Sequence, residues 1–408
     1  MVCFLDDVIV VGAGPAGNNT ALALALRGYA VSVIDPKENI GDKLCTGLVG
    51  EECFRSYPIA PELVYREINV ATVVAPSLTG IHFETPSPVA KVVDRVAFVS
   101  SFAKRAIEAG ARYHLGQRVL KIRHDRDRIE VTTNEGVKCA KALVLAAGFG
   151  SQLNRQLGFG EVGDYVVGVQ ALVETRDLNE VQVFLGRDVA PGFFAWLVPT
   201  QPGQALAGLL VRRNAPERFA EFLRLRLEEG TISGVVSKPI CWGIPLRPLS
   251  KTYHERLLIV GDAAGQVKPT TGGGIYYSLL ASEVAADTLD DALQEGDFSD
   301  GHLARYQQEW KGLLDRELQV GYSARRLFEF LGDGHISALV EQASKNGFVS
   351  SLANSRDVSF DWHSSMIDKI IGHPGLGGLL RLVNPLLART APPTEGAAIA
   401  EAIAGLSD

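Results

Sequence analysis

The segment that most narrows the possible folds is the opening one, "DDVIVVGAGPAGNNTALALALRGYAVSVID", Asp6 to Asp35. A β-branched run from Val8 to Val11 breaks at Gly12, Gly14 and Gly17, an alanine- and leucine-rich helical pattern follows, and a second apolar run ends at Asp35. Strand, helix and strand in that order make a βαβ unit with parallel strands. The G-x-G-x-x-G spacing has a mechanical reading. The first glycine makes the tight turn, the second leaves bare backbone where a pyrophosphate can rest on the helix N-terminus, and the third lets helix and strand pack closely. Pro15 and Ala16 complete that turn, and Asp35 stands 18 residues after Gly17, where an acid can accept from ribose hydroxyls. The expected ligand is a dinucleotide.

Two later segments repeat the passage from apolar strand to glycine. They are "KALVLAAGFGS", which contains Gly148, and "ERLLIVGDAAG", which contains Gly261 and Asp262. In a doubly wound sheet ligands bind at the carboxyl ends of the strands, so the three turns should converge on one ligand. Residues 66–93 and 162–250 instead carry period-2 stretches such as "VVGVQALVET" and "GQALAGLLVRR", which predict an antiparallel sheet. From about residue 300 the pattern turns helical. The predicted architecture is α/β: a Rossmann-type nucleotide-binding domain from 1–65, 94–161 and 251–300, an inserted antiparallel β-sheet substrate domain from 66–93 and 162–250, and a helical C-terminal region, 301–408.

A formal net charge of -7 and the absence of any Lys/Arg block argue against nucleic acid as a partner and against a polybasic membrane anchor. No window reaches 18 uninterrupted apolar residues, and the N-terminus lacks the charged region of a signal peptide. Cys3, Cys45, Cys53, Cys139 and Cys241 form neither a C-x-x-C pair nor a zinc spacing, so the expected compartment is reducing and cytoplasmic, and no metal is expected. The eight histidines are scattered without partner spacing.

The succession GAGPAG, DKLCTG, AAGFG and GDAAGQVKPTTGGG resembles the FAD-dependent oxidoreductases of the hydroxylase fold, and within them the geranylgeranyl reductase family, over about the first 300 residues. "KPTTGGGIYYSL" is the most specific of these matches. The resemblance implies FAD as cofactor, with Gly272, Gly273 and Gly274 bringing backbone N–H groups at a helix start to the flavin pyrimidine edge. A helix N-terminus there stabilises an adjacent anion by about 0.3 to 2 kcal/mol. It further implies that Asp262 contacts the ribityl and pyrophosphate region, that Lys43 and Arg95 lie near the cofactor, and that Cys45 and Thr46 belong to a loop facing the flavin. Cys45 is then the candidate catalytic thiol. A second family signature, PxxYxWxFP, is matched by Pro191, Trp196 and Pro199, while Phe194 replaces the tyrosine and Val198 the phenylalanine. Phe194, Trp196, Pro199 and Tyr276 are the residues expected to contact an isoprenoid chain.

The activity implied is hydrogenation of C=C bonds in a geranylgeranyl or other polyprenyl chain on a lipid, a chlorophyll precursor or a quinone, by hydride transfer from reduced flavin. The alternatives are a flavin monooxygenase or halogenase of the same fold, and a cyclase that uses flavin without net redox change. There is no second dinucleotide fingerprint, which leaves NADPH or ferredoxin as the electron donor. The expected partners are an isoprenoid small molecule or lipid and an electron-donor protein. The apolar stretch "DKIIGHPGLGGLLRLVNPLLARTAPP", with Lys369, Arg381 and Arg389, suggests a peripheral membrane contact.

Overall fold

The computed structural model describes residues 5–41, 45–58, 60–125, 127–160, 162–345, 347–355 and 357–383. The chain divides into two compact units: residues 1–43, 95–165 and 244–315 form the first, and residues 44–94, 166–243 and 316–408 form the second. Each unit is built around its own sheet.

In the first unit the opening strand Leu5–Val11 pairs in parallel with Val31–Asp35 on one side and with Gly136–Leu145 on the other. Arg112–Leu115 extends the sheet beyond Val31–Asp35, and Leu257–Ile259 extends it beyond Gly136–Leu145, both in parallel. The chain therefore leaves the opening strand in one direction and later returns on its other side, the topological switch at which α/β sheets bind ligands. Val8, Ile9 and Val10 are fully buried, as β-branched residues of a central parallel strand must be. The helix Pro15–Leu26 shows little amphipathic contrast and buries Ala16, Ala21, Leu22, Leu24 and Ala25, because it packs against both Arg95–Glu108 and Ile275–Glu295. Asn19 joins two of these helices, its amide donating to Ser282 Oγ at 2.9 Å.

The second unit contains an eight-stranded sheet. Its long strands Tyr165–Thr175, Gln204–Val211, Phe194–Pro199 and Val181–Leu185 pair antiparallel in that order. The expected α/β fold with an inserted antiparallel sheet is observed, with one departure: Val181–Leu185 pairs in parallel with Val70–Val74. One face of the sheet is sealed by the helix Ala215–Glu228, whose Phe219, Phe222 and Leu223 pack on Val169, Ala171, Ala195, Leu197, Ala207 and Leu209. Those residues alternate along their strands with the row that faces the other way.

Helices Asp333–Ser344, Ser364–Gly372 and Pro374–Val383 belong to the same unit. The remainder of the amphipathic C-terminal stretch, including Arg389, lies outside the described residues. Among the described residues no helix is long and apolar enough to cross a membrane. Cys45, Cys53 and Cys241 are free thiols, whereas Cys139 is disulfide-bonded.

Candidate functional site

The three glycine turns come together at the carboxyl edge of the parallel sheet. Gly12 has φ +112°, and a Cβ there would stand 2.3 Å from the Ala146 carbonyl oxygen, so the strand-to-helix turn requires glycine. At Gly17 a Cβ would stand 1.9 Å from the Gly12 oxygen, which is the close helix-to-strand contact expected of the third fingerprint glycine. Gly14 is different. It is the N-cap of Pro15–Leu26, its extended backbone makes no side-chain cap bond, and nothing lies within 4 Å of where its Cβ would be. The first turn therefore has no capping side chain and open space beside its cap residue, an arrangement that suits an anionic phosphate.

Asp35 ends the second strand, where its carboxylate accepts from Ala13 N at 2.7 Å and from Lys37 N at 2.8 Å. A carboxylate offers about four acceptor positions, so two remain for ribose hydroxyls. Across the opening strand from Asp35 stand Gly148, with open space at its Cβ position, and the turn Gly261–Ala263 that follows Leu257–Ile259. These residues fit a dinucleotide. Asp35 would hold its first ribose, the Gly14 helix end its pyrophosphate, and the turns beyond the opening strand, through residues 261–274, its second half.

The Gly-Asp turn is held from beneath. Gly261 N donates to Gln266 Oε1 at 2.7 Å, Gln266 Nε2 donates to the Tyr306 hydroxyl at 3.0 Å, and that hydroxyl donates to Ile259 O at 2.7 Å. Burial holds the Tyr306 phenol well above its usual range, so it remains a neutral donor. Asn154 Nδ2 adds a bond to Ala263 O at 2.8 Å. Gln266, Tyr306 and Asn154 were not legible as site residues. Tyr306 and Asn154 stand outside every motif and reach the turn only through tertiary contact, while Gln266 lies within the quoted GDAAGQVK stretch but its support role depends on Tyr306.

Gly272 adopts φ +75°, and the loop is closed by Gly272 N donating to Lys268 O at 2.9 Å and Lys268 N donating to Gly273 O at 3.1 Å. Gly274 then caps Ile275–Glu295, and a Cβ there would meet Asp262 Oδ1 at 2.8 Å. Asp262 and the glycine triplet are thus adjacent. Tyr276 is buried in the first turn of this helix. Arg95 is buried at the start of its helix, with Nη1 donating to Gly41 O at 2.5 Å.

The remaining described residues predicted from the sequence, Cys45, Thr46, Phe194, Trp196 and Pro199, belong to the second unit. Cys45 and Thr46 are half-buried just before the strand Leu48–Gly50, while Lys43 lies outside the described residues. Trp196 and Pro199 are buried, Phe194 is half-buried, and the Phe194 and Trp196 rings approach to 5.8 Å between centroids. Trp196 pairs in register with Gly208, which pairs in turn with Gln170. A Cβ on Gly208 would strike the indole at 2.3 Å, so glycine makes room for the ring. Gln170 is fully buried, yet neither of its amide atoms has a hydrogen-bond partner, and the same holds for the Trp196 indole N–H. Sequence alternation hid Gln170, a polar residue on a strand that reads as a core strand. Among the described residues no cluster of three or more His, Cys, Asp or Glu could hold a metal ion.

Residues 6–183 match the family model described as pyridine nucleotide-disulphide oxidoreductase. The chain is 30% identical over 360 residues to digeranylgeranylglycerophospholipid reductase 2 of Methanopyrus kandleri, covering 82% of this chain and 89% of that one. It is also 30% identical over 354 residues to the digeranylgeranylglycerophospholipid reductase of Methanocaldococcus jannaschii, covering 82% and 90%. Among solved structures, a geranylgeranyl bacteriochlorophyll reductase-like protein of Thermoplasma acidophilum shares the fold, with a TM-score of 0.81 at 20% identity over 93% of this chain and 99% of that one.

Proposed function

The chain belongs to the geranylgeranyl reductase family of FAD-dependent oxidoreductases, and we propose that it hydrogenates the C=C bonds of geranylgeranyl chains carried on a glycerophospholipid. The observation that carries this reading is the 30% identity to digeranylgeranylglycerophospholipid reductases over 82% of the chain. Fold alone would not separate a reductase from an oxygenase.

In this reading the N-terminus of Pro15–Leu26 would hold the pyrophosphate, Asp35 a ribose, and the backbone of the Gly272–Gly274 loop the flavin. Bound FAD, once reduced, supplies a hydride to one alkene carbon; with a proton on the other carbon the C=C becomes CH–CH and the two electrons leave the flavin oxidised. An unactivated alkene offers no polar handle, so its orientation comes from apolar contact. We assign that contact to Phe194, Trp196, Pro199 and Tyr276, all apolar or aromatic and, apart from half-buried Phe194, buried. Cys45 is a free, half-buried thiol and holds the proton for the second carbon at Sγ, with solvent restoring it.

The test is turnover: purified protein, FAD, dithionite and digeranylgeranylglycerophospholipid, followed by mass spectrometry. A gain of two mass units per double bond supports the proposal. Unchanged lipid with bound, reducible FAD overturns it. Dithionite makes the outcome independent of whether NADPH or ferredoxin is the physiological donor.

A further inference from the structure

The loop that precedes the glycine triplet contains a lysine in an unusual place. Lys268 is only 4% exposed, although lysine is almost never buried without a charge or ring to meet its ammonium. Its Nζ stands 5.6 Å from the centroid of the Tyr277 ring, which is itself buried. Its backbone closes the loop onto Gly272 and Gly273, and its Cδ lies 3.8 Å from where a Gly273 Cβ would be. The lysine stem therefore runs directly against the glycine segment, and backbone and side chain hold it there together. The turn Gly261–Ala263 that leads into this segment lies on the far side of the opening strand from Asp35, where the second half of a bound dinucleotide would be held.

We infer that Lys268 is the charge that sets the redox poise of the bound flavin: its ammonium, carried on a stem that packs against Gly273, stabilises the negative charge that the isoalloxazine would acquire on reduction. The inference rests on FAD being the cofactor, as proposed above. The N-terminus of Ile275–Glu295 contributes only a partial charge, whereas the lysine adds a full one in a site with little water to screen it. The balance is explicit. With Lys268 charged, FAD takes two electrons and one proton and is held as the reduced anion; without that charge, the reduced flavin takes a second proton from solvent. Lys268 acts through its field and transfers no atom.

The experiment compares wild-type holoenzyme with Lys268→Met and Lys268→Arg, with Lys268→Gln prepared in case the methionine variant does not fold. The readouts are the midpoint potential of the bound flavin and the number of protons taken up per reduction. Lys268→Met is expected to lose about tenfold in preference for reduced over oxidised FAD, which for a two-electron couple is about 30 mV toward more negative potential. It should also take up a second proton, while Lys268→Arg stays near wild type. A Lys268→Met protein with wild-type potential and proton uptake overturns the inference, and so does a Lys268→Arg protein that falls as far as the methionine variant. Because no substrate is present, either result leaves the alkene-reductase reading untouched. Failure of the wild-type protein to bind FAD would instead sink that reading first.

Discussion

Replacing Gly14 by alanine should separate folding from cofactor binding. The backbone there is extended, φ -82° and ψ -176°, which alanine adopts without strain. Nothing lies within 4 Å of the new methyl group, so no protein atom must move. Alanine is a poorer N-cap than glycine by about 1 kcal/mol. It restricts the unfolded chain by about 0.4 to 1 kcal/mol in compensation. Thermal denaturation of the Gly14→Ala apoprotein should therefore stay close to wild type. FAD binding should not. The methyl group occupies the open space in which phosphate oxygens meet the first-turn N–H groups, and each charge-assisted hydrogen bond is worth about 1.5 to 3 kcal/mol. Losing one or two costs about 3 kcal/mol, or roughly a hundredfold in Kd by calorimetric titration of apoprotein with FAD. Gly17→Ala gives the contrast, since a Cβ 1.9 Å from a backbone oxygen must destabilise the apoprotein as well. A Gly14→Ala protein that binds FAD within threefold of wild type, on a scale where about tenfold is 1.4 kcal/mol, would refute the cradle.

Other outcomes follow from single residues. Cys45→Ala should retain FAD affinity while turnover of the lipid falls by about 10² or more, the usual contribution of a positioned proton donor; equal turnover by product mass would remove the thiol from the mechanism. Gln170→Met removes a fully buried amide that has no partner, so the apoprotein should gain about 1 to 3 kcal/mol and melt higher. A lower melting temperature would mean that a bound water or ligand satisfies the amide. His114 is held below its ordinary value near 6.5 by burial first, then by Lys138, while Asp6 opposes and Arg112 adds to the depression. A depressed histidine contributes stability that is complete above the unfolded pKa and is lost as pH falls through the folded one. Melting temperature should therefore drop below about pH 6.5 more steeply in wild type than in His114→Gln. Parallel pH profiles would contradict that.

Much of the nucleotide-binding unit was legible because its chemistry is local. Gly17 is dictated by the backbone of Gly12 one turn earlier and Asp35 by the length of one helix and one strand, whereas the contact that demands glycine at position 12 comes from Ala146 on the neighbouring strand. The inserted sheet was legible from period-2 alternation, but its one parallel pairing was not. Val70–Val74 and Val181–Leu185 are separated by about a hundred residues, and nothing in either strand encodes the direction of its partner. The supports of the Gly-Asp turn were hidden for the same reason, since Gln266, Tyr306 and Asn154 are defined by what they reach. Lys268 stood in plain view within the most specific motif, but its importance is a matter of burial, which the neighbouring threonines and glycines do not announce. Gln170 reads as an interruption in an apolar strand until its register opposite Gly208 and Trp196 is known.

The most direct test of the account is an anaerobic single turnover. The holoenzyme is reduced with one equivalent of dithionite and mixed with digeranylgeranylglycerophospholipid, while the flavin absorbance and the lipid mass are followed together. The account predicts that flavin reoxidises only when lipid is present and that one C=C is lost for each flavin reoxidised. Flavin that stays reduced beside the lipid, or that reoxidises without any gain of two mass units, would contradict it.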